Sequence, residues 1–465
     1  MAVKVFDYII GYENKPREIE SACLIKYELE RRGYSVKIFQ EFDQRFDDVN
    51  EVLFHAKVLI LSCGYGDKYV KAFCRRFLTF DKLVNWQWEQ ILEKDEEDTA
   101  DNYVGVNGPM SRSACQLCWG ERMKHRETDI IGIAPEQVFV TGNVSMDFAK
   151  ERFDRFYESK ETIIKRYKLP ADKKMMLFIG SFPLAFMPEE GIIDREQASG
   201  KPYHDIAKNN YNRFLTEMGW VKEVLSESDE FYCVYRPHPG EEYDRCPKEI
   251  QEFLDELVSS GKFFIIQDLS IKQWIKIADR IYCGYSTSTA EAYYAGKSCY
   301  MLSPRDIPED QEIYYFDNAN TIGTREEFLK TFENDSFFCS IDQKMLDDYF
   351  TASKDYCYEK MADVLETIIK QDRYNVDISP LLENAEKIRK EQFAGKSFLK
   401  KAKLNLWKYD WFYKLFWTIT ELPVKSSYFD KQKEYHKEII TYRNSYIATQ
   451  AEIDEINARL KRCFE

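Results

Sequence analysis

The sequence lacks any uncharged apolar run of 18 residues, so no bilayer-spanning helix is expected. Positive charge is in short supply. Lys and Arg number 66 against 80 Asp and Glu, a formal net charge of −14, and that balance excludes nucleic acid as a general partner. The opening MAVKVFDYIIGYENK has no charged lead, long apolar stretch or small-residue cleavage site, so a cytoplasmic protein is expected. Metal-site patterns are also missing. Cys115 and Cys118 form one CxxC, but no second CxxC or HxxxH stands nearby to complete four zinc ligands, and the pair reads as two core thiols. No DxD pair stands at a strand end, and the acidic run Asp95–Asp98 reads as a solvated loop; no essential metal is expected. No internal repeat is present.

What is present is a globular composition, 44% hydrophobic and 31% charged over 465 residues, long enough for two or three domains. Of twelve cysteines, Cys63, Cys233, Cys283 and Cys299 lie in apolar runs and read as reduced, buried thiols. The first part of the chain alternates strand and helix. Val3–Gly11, Tyr34–Phe39, Val58–Cys63, Leu83–Trp88 and Gln137–Thr141 read as strands, and Arg17–Gly33 as a helix with Ile19, Ala22, Cys23 and Tyr27 at helical spacing. A charged helical stretch over Asp147–Tyr167 follows. A second strand series then runs through Met175–Gly180, Tyr232–Tyr235, Phe263–Gln267, Arg280–Cys283 and Ser298–Leu302. This rhythm predicts two Rossmann-like, doubly wound α/β domains, residues 1–155 and 165–375, facing a cleft at the C-terminal ends of their strands. Residues 376–465 read as C-terminal helices. Within 396–425, seven lysines and eight aromatics stand against two acids. That basic, aromatic, amphipathic pattern suits an anionic membrane surface or, alternatively, packing on the body of the protein.

Three segments carry candidate chemistry. Tyr235-Arg236-Pro237-His238-Pro239-Gly240-Glu241-Glu242 follows a strand. The two prolines fix the backbone on either side of His238, whose imidazole could bond a phosphate or ribose hydroxyl and stabilise a leaving nucleotide, with Arg236 and Pro239 beside it. Gly284-Tyr285-Ser286-Thr287-Ser288-Thr289-Ala290-Glu291 follows another strand. One hydroxyl would suffice for a helix cap, and the surplus favours a phosphate cradle, with Glu291 able to cap the helix or bind ribose. A base for an acceptor hydroxyl needs a carboxylate in reach. Glu89 in Trp86-Gln87-Trp88-Glu89-Gln90, Glu18 in Asn14-Lys15-Pro16-Arg17-Glu18, and Glu189 or Glu190 before Gly191 are the alternatives. Gly180-Ser181 and Thr141-Gly142-Asn143 put small residues at strand ends, where a ligand could approach the backbone.

The His-Pro pair and the hydroxyl motif 48 residues later resemble those of bacterial sialyltransferases and related GT-B enzymes that use CMP-activated acidic sugars. The order of the chain also resembles the bacterial surface carbohydrate biosynthesis family, through Lys15-Pro16-Arg17-Glu18, Trp119-Gly120-Glu121 and Thr141-Gly142-Asn143. That family's Glu-Glu-Gly-like acidic motif falls on Trp88-Glu89-Gln90, with one carboxylate and no glycine, so the base stays open. The resemblance covers about residues 1–375. It implies a GT-B fold with an acceptor domain followed by a nucleotide-sugar domain. His238, Pro239 and Ser286 with Thr287 or Ser288 would hold CMP. A nonulosonic or Kdo-type sugar would pass, with inversion, to a surface glycan or lipid-linked acceptor, at the inner face of the membrane if the 396–425 segment docks there. The rivals are a CDP-polyol phosphotransferase, a UDP-sugar epimerase or hexose transferase, and a nucleotide-sugar-binding scaffold without turnover.

Overall fold

The computed structural model describes residues 2–43, 51–73, 77–100, 104–308, 312–333, 336–351, 355–395 and 446–465, with isolated positions between 397 and 415. Two units emerge. The first comprises Met1–Gln90, Asp95–Ser145 and Asp348–Glu465; the second comprises Ile91–Lys94 and Met146–Asp347.

In the first unit, β1 (Lys4–Tyr12), β2 (Val36–Gln40), β3 (Phe54–Leu61), β4 (Leu78–Asn85), β5 (Cys115–Cys118) and β6 (Val138–Val140) form one sheet in the order β2-β1-β3-β4-β5-β6. Every pairing is parallel. The last five residues of β1 and the last four of β3 are buried without alternation, as strands covered on both faces must be. The helix Lys15–Arg31 starts with Pro16 in its first turn, where a missing N–H costs nothing, and Gly33 follows its end at φ 92°. Ile9, Leu59, Leu61, Phe80 and Leu83 form the core, joined by Leu381 from the helix Ser379–Phe393.

Chain order alone misplaced residues 348–375, assigned above to the second domain. The helix Cys357–Lys370 belongs to the first unit, where the Tyr8 hydroxyl donates to the Leu365 carbonyl at 3.1 Å. The final helix, Gln450–Phe464, also packs here. It is capped reciprocally by Thr449 and Glu452, it carries a 2.9 Å ion pair from Glu452 to Lys15, and Phe464 lies against Tyr27. Most of 396–425, the segment read as docking on a membrane surface or packing on the body, lies outside the described residues. No helix among the described residues is long and apolar enough to cross a membrane.

In the second unit, β7 (Lys174–Ile179), β8 (Phe231–Arg236), β9 (Phe263–Ile265), β10 (Arg280–Cys283), β11 (Cys299–Leu302) and β12 (Thr321–Ile322) form a second parallel sheet, ordered β12-β11-β10-β7-β8-β9. One face is covered by helices Tyr203–Glu227 and Lys248–Ser259 around Phe214, Met218 and Leu254. The other is covered by Lys160–Tyr167, Ile271–Ile277 and Ser288–Tyr294 around Ile163, Trp274 and Ala292.

Both sheets reproduce the expected α/β class, with corrections. The CxxC is strand β5 itself: all four of its residues are buried and both thiols are free. Side chains three apart on a strand face opposite ways, so the two sulfurs serve different sides of the sheet. The expected helix over Asp147–Tyr167 is two 3₁₀ turns, Val144–Ala149 and Glu151–Phe153, before Lys160–Tyr167. Phe148, Phe153 and Phe156 collapse on one another, with Phe148–Phe153 centroids 5.1 Å apart, and draw the chain into tight turns. Ser159 then caps the helix by accepting the Thr162 N–H at 3.3 Å.

Candidate active site

Strand order locates the crevices. The second sheet, numbered from β7, runs 6-5-4-1-2-3, the Rossmann order read from its far edge. Its switch point lies where β7 and β10 leave in opposite directions. The residues that follow those two strands, Gly180-Ser181 and Gly284, touch. A Cβ on Gly284 would come within 2.4 Å of the Ser181 hydroxyl. On the other side of β7, the His-Pro loop follows β8. The Gly240 N–H donates to His238 Nδ1 at 3.0 Å. That makes Nδ1 the acceptor, so Nε2 carries the proton of the neutral ring.

Glu241 ties this loop to its neighbour. It is 1% exposed and accepts three hydrogen bonds: from Phe182 N–H at 2.6 Å, from the Tyr235 hydroxyl at 2.6 Å and from His238 N–H at 3.1 Å. Burial pushes its pKa up to about 7, against the lowering effect of those donors.

The four consecutive hydroxyls divide. Thr289 is buried, donates to the Ser286 carbonyl at 2.8 Å and lies 3.3 Å from the Tyr315 hydroxyl, so it serves the fold. Ser286 Oγ accepts the Ser288 N–H at 3.2 Å. Ser286 is half-buried, Thr287 is exposed, Ser288 is buried, and Glu291 is half-buried on the helix that begins at Ser288. Arg236 has structural partners of its own. Its guanidinium donates to the carbonyls of Ile266, Asp268 and Leu269, at 3.3, 2.7 and 2.6 Å, and burial lowers its pKa to about 10. It braces the loop after β9, where Leu269 adopts φ 67°. Pro239 is exposed beside His238.

The first sheet, 2-1-3-4-5-6, switches between β1 and β3. Carboxylates crowd that end. The Glu13 N–H, just past β1, donates to Glu18 at 2.7 Å. Arg17 bonds Glu18 at 2.8 and 3.1 Å and also bonds Glu89, which follows β4, so two of the base candidates share one guanidinium. Glu18 is buried, and its pKa is raised because burial outweighs the attraction of Arg17. The Glu89 side chain is 43% exposed. Glu41, just past β2, is buried and accepts from Ser62 N–H at 2.5 Å, Ser62 Oγ at 2.8 Å and Cys63 N–H at 3.3 Å. Burial and the charges of Glu18 and Glu13 outweigh these bonds and hold its pKa at about 8. The same burial, with Glu41 and Glu13 close by, pushes the Cys63 thiol up and disfavours a nucleophilic thiolate.

Glu189 and Glu190 do not sit in a loop as expected. They open the helix Glu189–Ser199, and Glu189 faces His204 at 3.1 Å in an exposed pair. Sequence reasoning passed over Glu241, Glu41, Glu13 and Arg17 as site residues. Three of them left a signal, since Glu13 and Glu41 directly follow strands and Glu241 directly follows Pro239-Gly240.

No protein-family model matches the chain. No curated protein matches it by sequence. Among solved structures, it is similar to a Methanocaldococcus jannaschii UDP-GlcNAc 2-epimerase in complex with UDP-GlcNAc and UDP, at 14% identity and TM-score 0.45, covering 78% of this chain and 100% of that one. It is also similar to the wall teichoic acid polymerase TagF, at 11% identity and TM-score 0.46, covering 78% and 89%, and to S. aureus MnaA with UDP, at 15% identity and TM-score 0.41, covering 79% and 97%.

Proposed function

We propose that this chain is a metal-independent GT-B glycosyltransferase that moves an acidic sugar, of the nonulosonic or Kdo type, from a CMP-linked donor to a surface glycan or lipid-linked acceptor. The observation that carries the reading is the β7/β10 switch point. Gly180, Ser181 and Gly284 leave backbone and small side chains at the strand ends, and His238 stands on the next strand's loop with its ring proton on Nε2. Phosphate oxygens need donors and little bulk, which these residues supply. The choice of CMP rests on the resemblance of His238-Pro239 and Ser286–Thr289 to enzymes that use CMP-sugars.

In this mechanism the bond from the anomeric carbon to the donor phosphate oxygen breaks as the acceptor oxygen attacks, with inversion. Glu89 takes the acceptor's proton. It is the accessible member of the pair on Arg17, whereas Glu18 is enclosed and holds Arg17 in place. His238 Nε2–H and the hydroxyls of Ser286, Thr287 and Ser288 stabilise the departing CMP phosphate. Segment 396–425 would bring the enzyme to a membrane-borne acceptor.

The test is thermal stabilisation by CMP, CDP, UDP, UMP, GDP and ADP, since a ligand of the folded state raises its stability as its concentration passes Kd. The largest shift is expected with CMP, and His238→Ala should lose roughly tenfold to a hundredfold in affinity or turnover while still folding. A larger shift with UDP or CDP would overturn the donor and favour a hexose transferase, an epimerase or a phosphotransferase. CMP binding without product from any CMP-sugar would favour a scaffold.

A further inference from the structure

We propose that Glu241 is the positioning residue of the second unit's crevice: its carboxylate clamps the turn after β7 to the His-Pro loop after β8 and so fixes the height and tautomer of His238. The inference rests on the function proposed above for its ligand. Its geometry stands independently.

Glu241 has no solvent to bond. Its two oxygens are met by three donors from three places: Phe182 N–H from the β7 turn, Tyr235 O–H from β8 and His238 N–H from the loop itself. In return the Glu241 N–H donates to the His238 carbonyl at 2.8 Å. His238 is therefore held at both its backbone groups by one residue, three positions on. The held geometry brings the Gly240 N–H to His238 Nδ1. With Nδ1 accepting, the ring is a donor through Nε2, the form suited to a phosphate oxygen.

Two features separate this from ordinary core stabilisation. Two of the three donors are backbone groups in the turns that flank the crevice, so losing the carboxylate would free the turns and leave the sheet intact. Gly180, first residue of the β7 turn, is also fitted to the clamp. A Cβ there would lie 2.3 Å from one Glu241 oxygen and 2.8 Å from the other. The glycine after β7 thus makes room for this carboxylate.

The experiment uses the full chain labelled with ¹⁵N, and reads the ring nitrogens of His238 among only five histidines, together with CMP affinity by calorimetry. In Glu241→Gln the amide nitrogen brings hydrogens where donors already point. The His238 resonances should move from an Nε2–H pattern toward the mixed tautomers of a free ring. CMP should bind about tenfold more weakly, the worth of one charge-assisted hydrogen bond. Gly180→Ala should give the same pair of changes from the opposite side of the contact. Tyr235→Phe removes a single donor without charge and should give a smaller shift of the same kind, which keeps the test open if Glu241→Gln folds poorly. A wild-type tautomer pattern in folded Glu241→Gln and Gly180→Ala would overturn the clamp. If CMP fails to bind the wild type, the proposed function falls while the ring-nitrogen readout still decides the clamp.

Discussion

The two units offer crevices at equivalent places on similar sheets, and they furnish them oppositely. At the β1/β3 switch of the first unit, Glu13, Glu18 and Glu89 meet one guanidinium, that of Arg17, and the charges of Glu13 and Glu18 reach the buried Glu41. At the β7/β10 switch of the second, glycine and serine occupy the strand ends, and the Glu241 carboxylate is turned inward and covered by donors. The first arrangement repels phosphate and holds protons. The second, on the function proposed above, offers phosphate the N–H and O–H groups it needs. Strand order chose both places, and strand-end residues then assigned each a different chemistry.

The sharpest way to break the contrast is to give the second crevice the charge of the first. Ser181→Glu would place an outward carboxylate beside Gly284 at the switch point. Like charges brought together cost several kcal/mol, so nucleotide affinity should fall about a hundredfold or more. Calorimetric titration with CMP checks this, and unaltered affinity in a folded variant would remove the β7/β10 crevice from the proposal.

The reverse change removes the cation that Glu13, Glu18 and Glu89 share. Arg17→Ala leaves Glu18 buried without its partner. Stability should drop by about 2 kcal/mol, less than for a fully enclosed pair because Arg17 is itself 37% exposed. Turnover should collapse as Glu89 loses its anchor, while CMP affinity stays within about twofold, since the residues proposed to hold CMP all belong to the second unit. A large loss of CMP affinity would show that the nucleotide depends on the acidic unit, and the division of labour would fail.

Much of this was legible in the sequence. Strands such as Ile9–Tyr12 and Leu59–Leu61 are buried on both faces, and a short run of apolar residues declares that directly. His238, Ser286 and Gly180 stood out as candidates because prolines, repeated hydroxyls and glycine at strand ends are locally unusual. Strand β5 was hidden because Cys115-Gln116-Leu117-Cys118 is also a metal-ligand spacing. The clamp was hidden for another reason. Glu241 gains its role from Phe182, 59 residues earlier, and Glu41 gains its own from Ser62, 21 residues later. Adjacent strands in a parallel sheet are joined by long crossovers, so partners at neighbouring strand ends are always distant in sequence. The same fact explains Arg236: its three carbonyl partners lie 30 to 33 residues on, in the loop after β9.

The subtlest consequence of a crowded acidic crevice is its dependence on pH. Glu41 keeps its proton in the folded chain up to about pH 8, while the unfolded chain releases it near the ordinary carboxylate value of 4.5. Between those values folding takes up a proton. This group's contribution therefore makes the protein less stable as pH rises from 4.5 to 8, by roughly a few kcal/mol at most, and is constant above that range. Glu41→Gln mimics the protonated side chain and removes this proton uptake. Urea midpoints measured at pH 5.5, 7 and 8.5 should decline for the wild type and decline less for the variant. Some slope should remain, because burial also raises Glu18, Glu127 and Glu241, which act in the same direction. Equal slopes in the two proteins would mean that Glu41 is ionised in the fold, and that the first crevice holds one more negative charge and one fewer proton than its geometry implies.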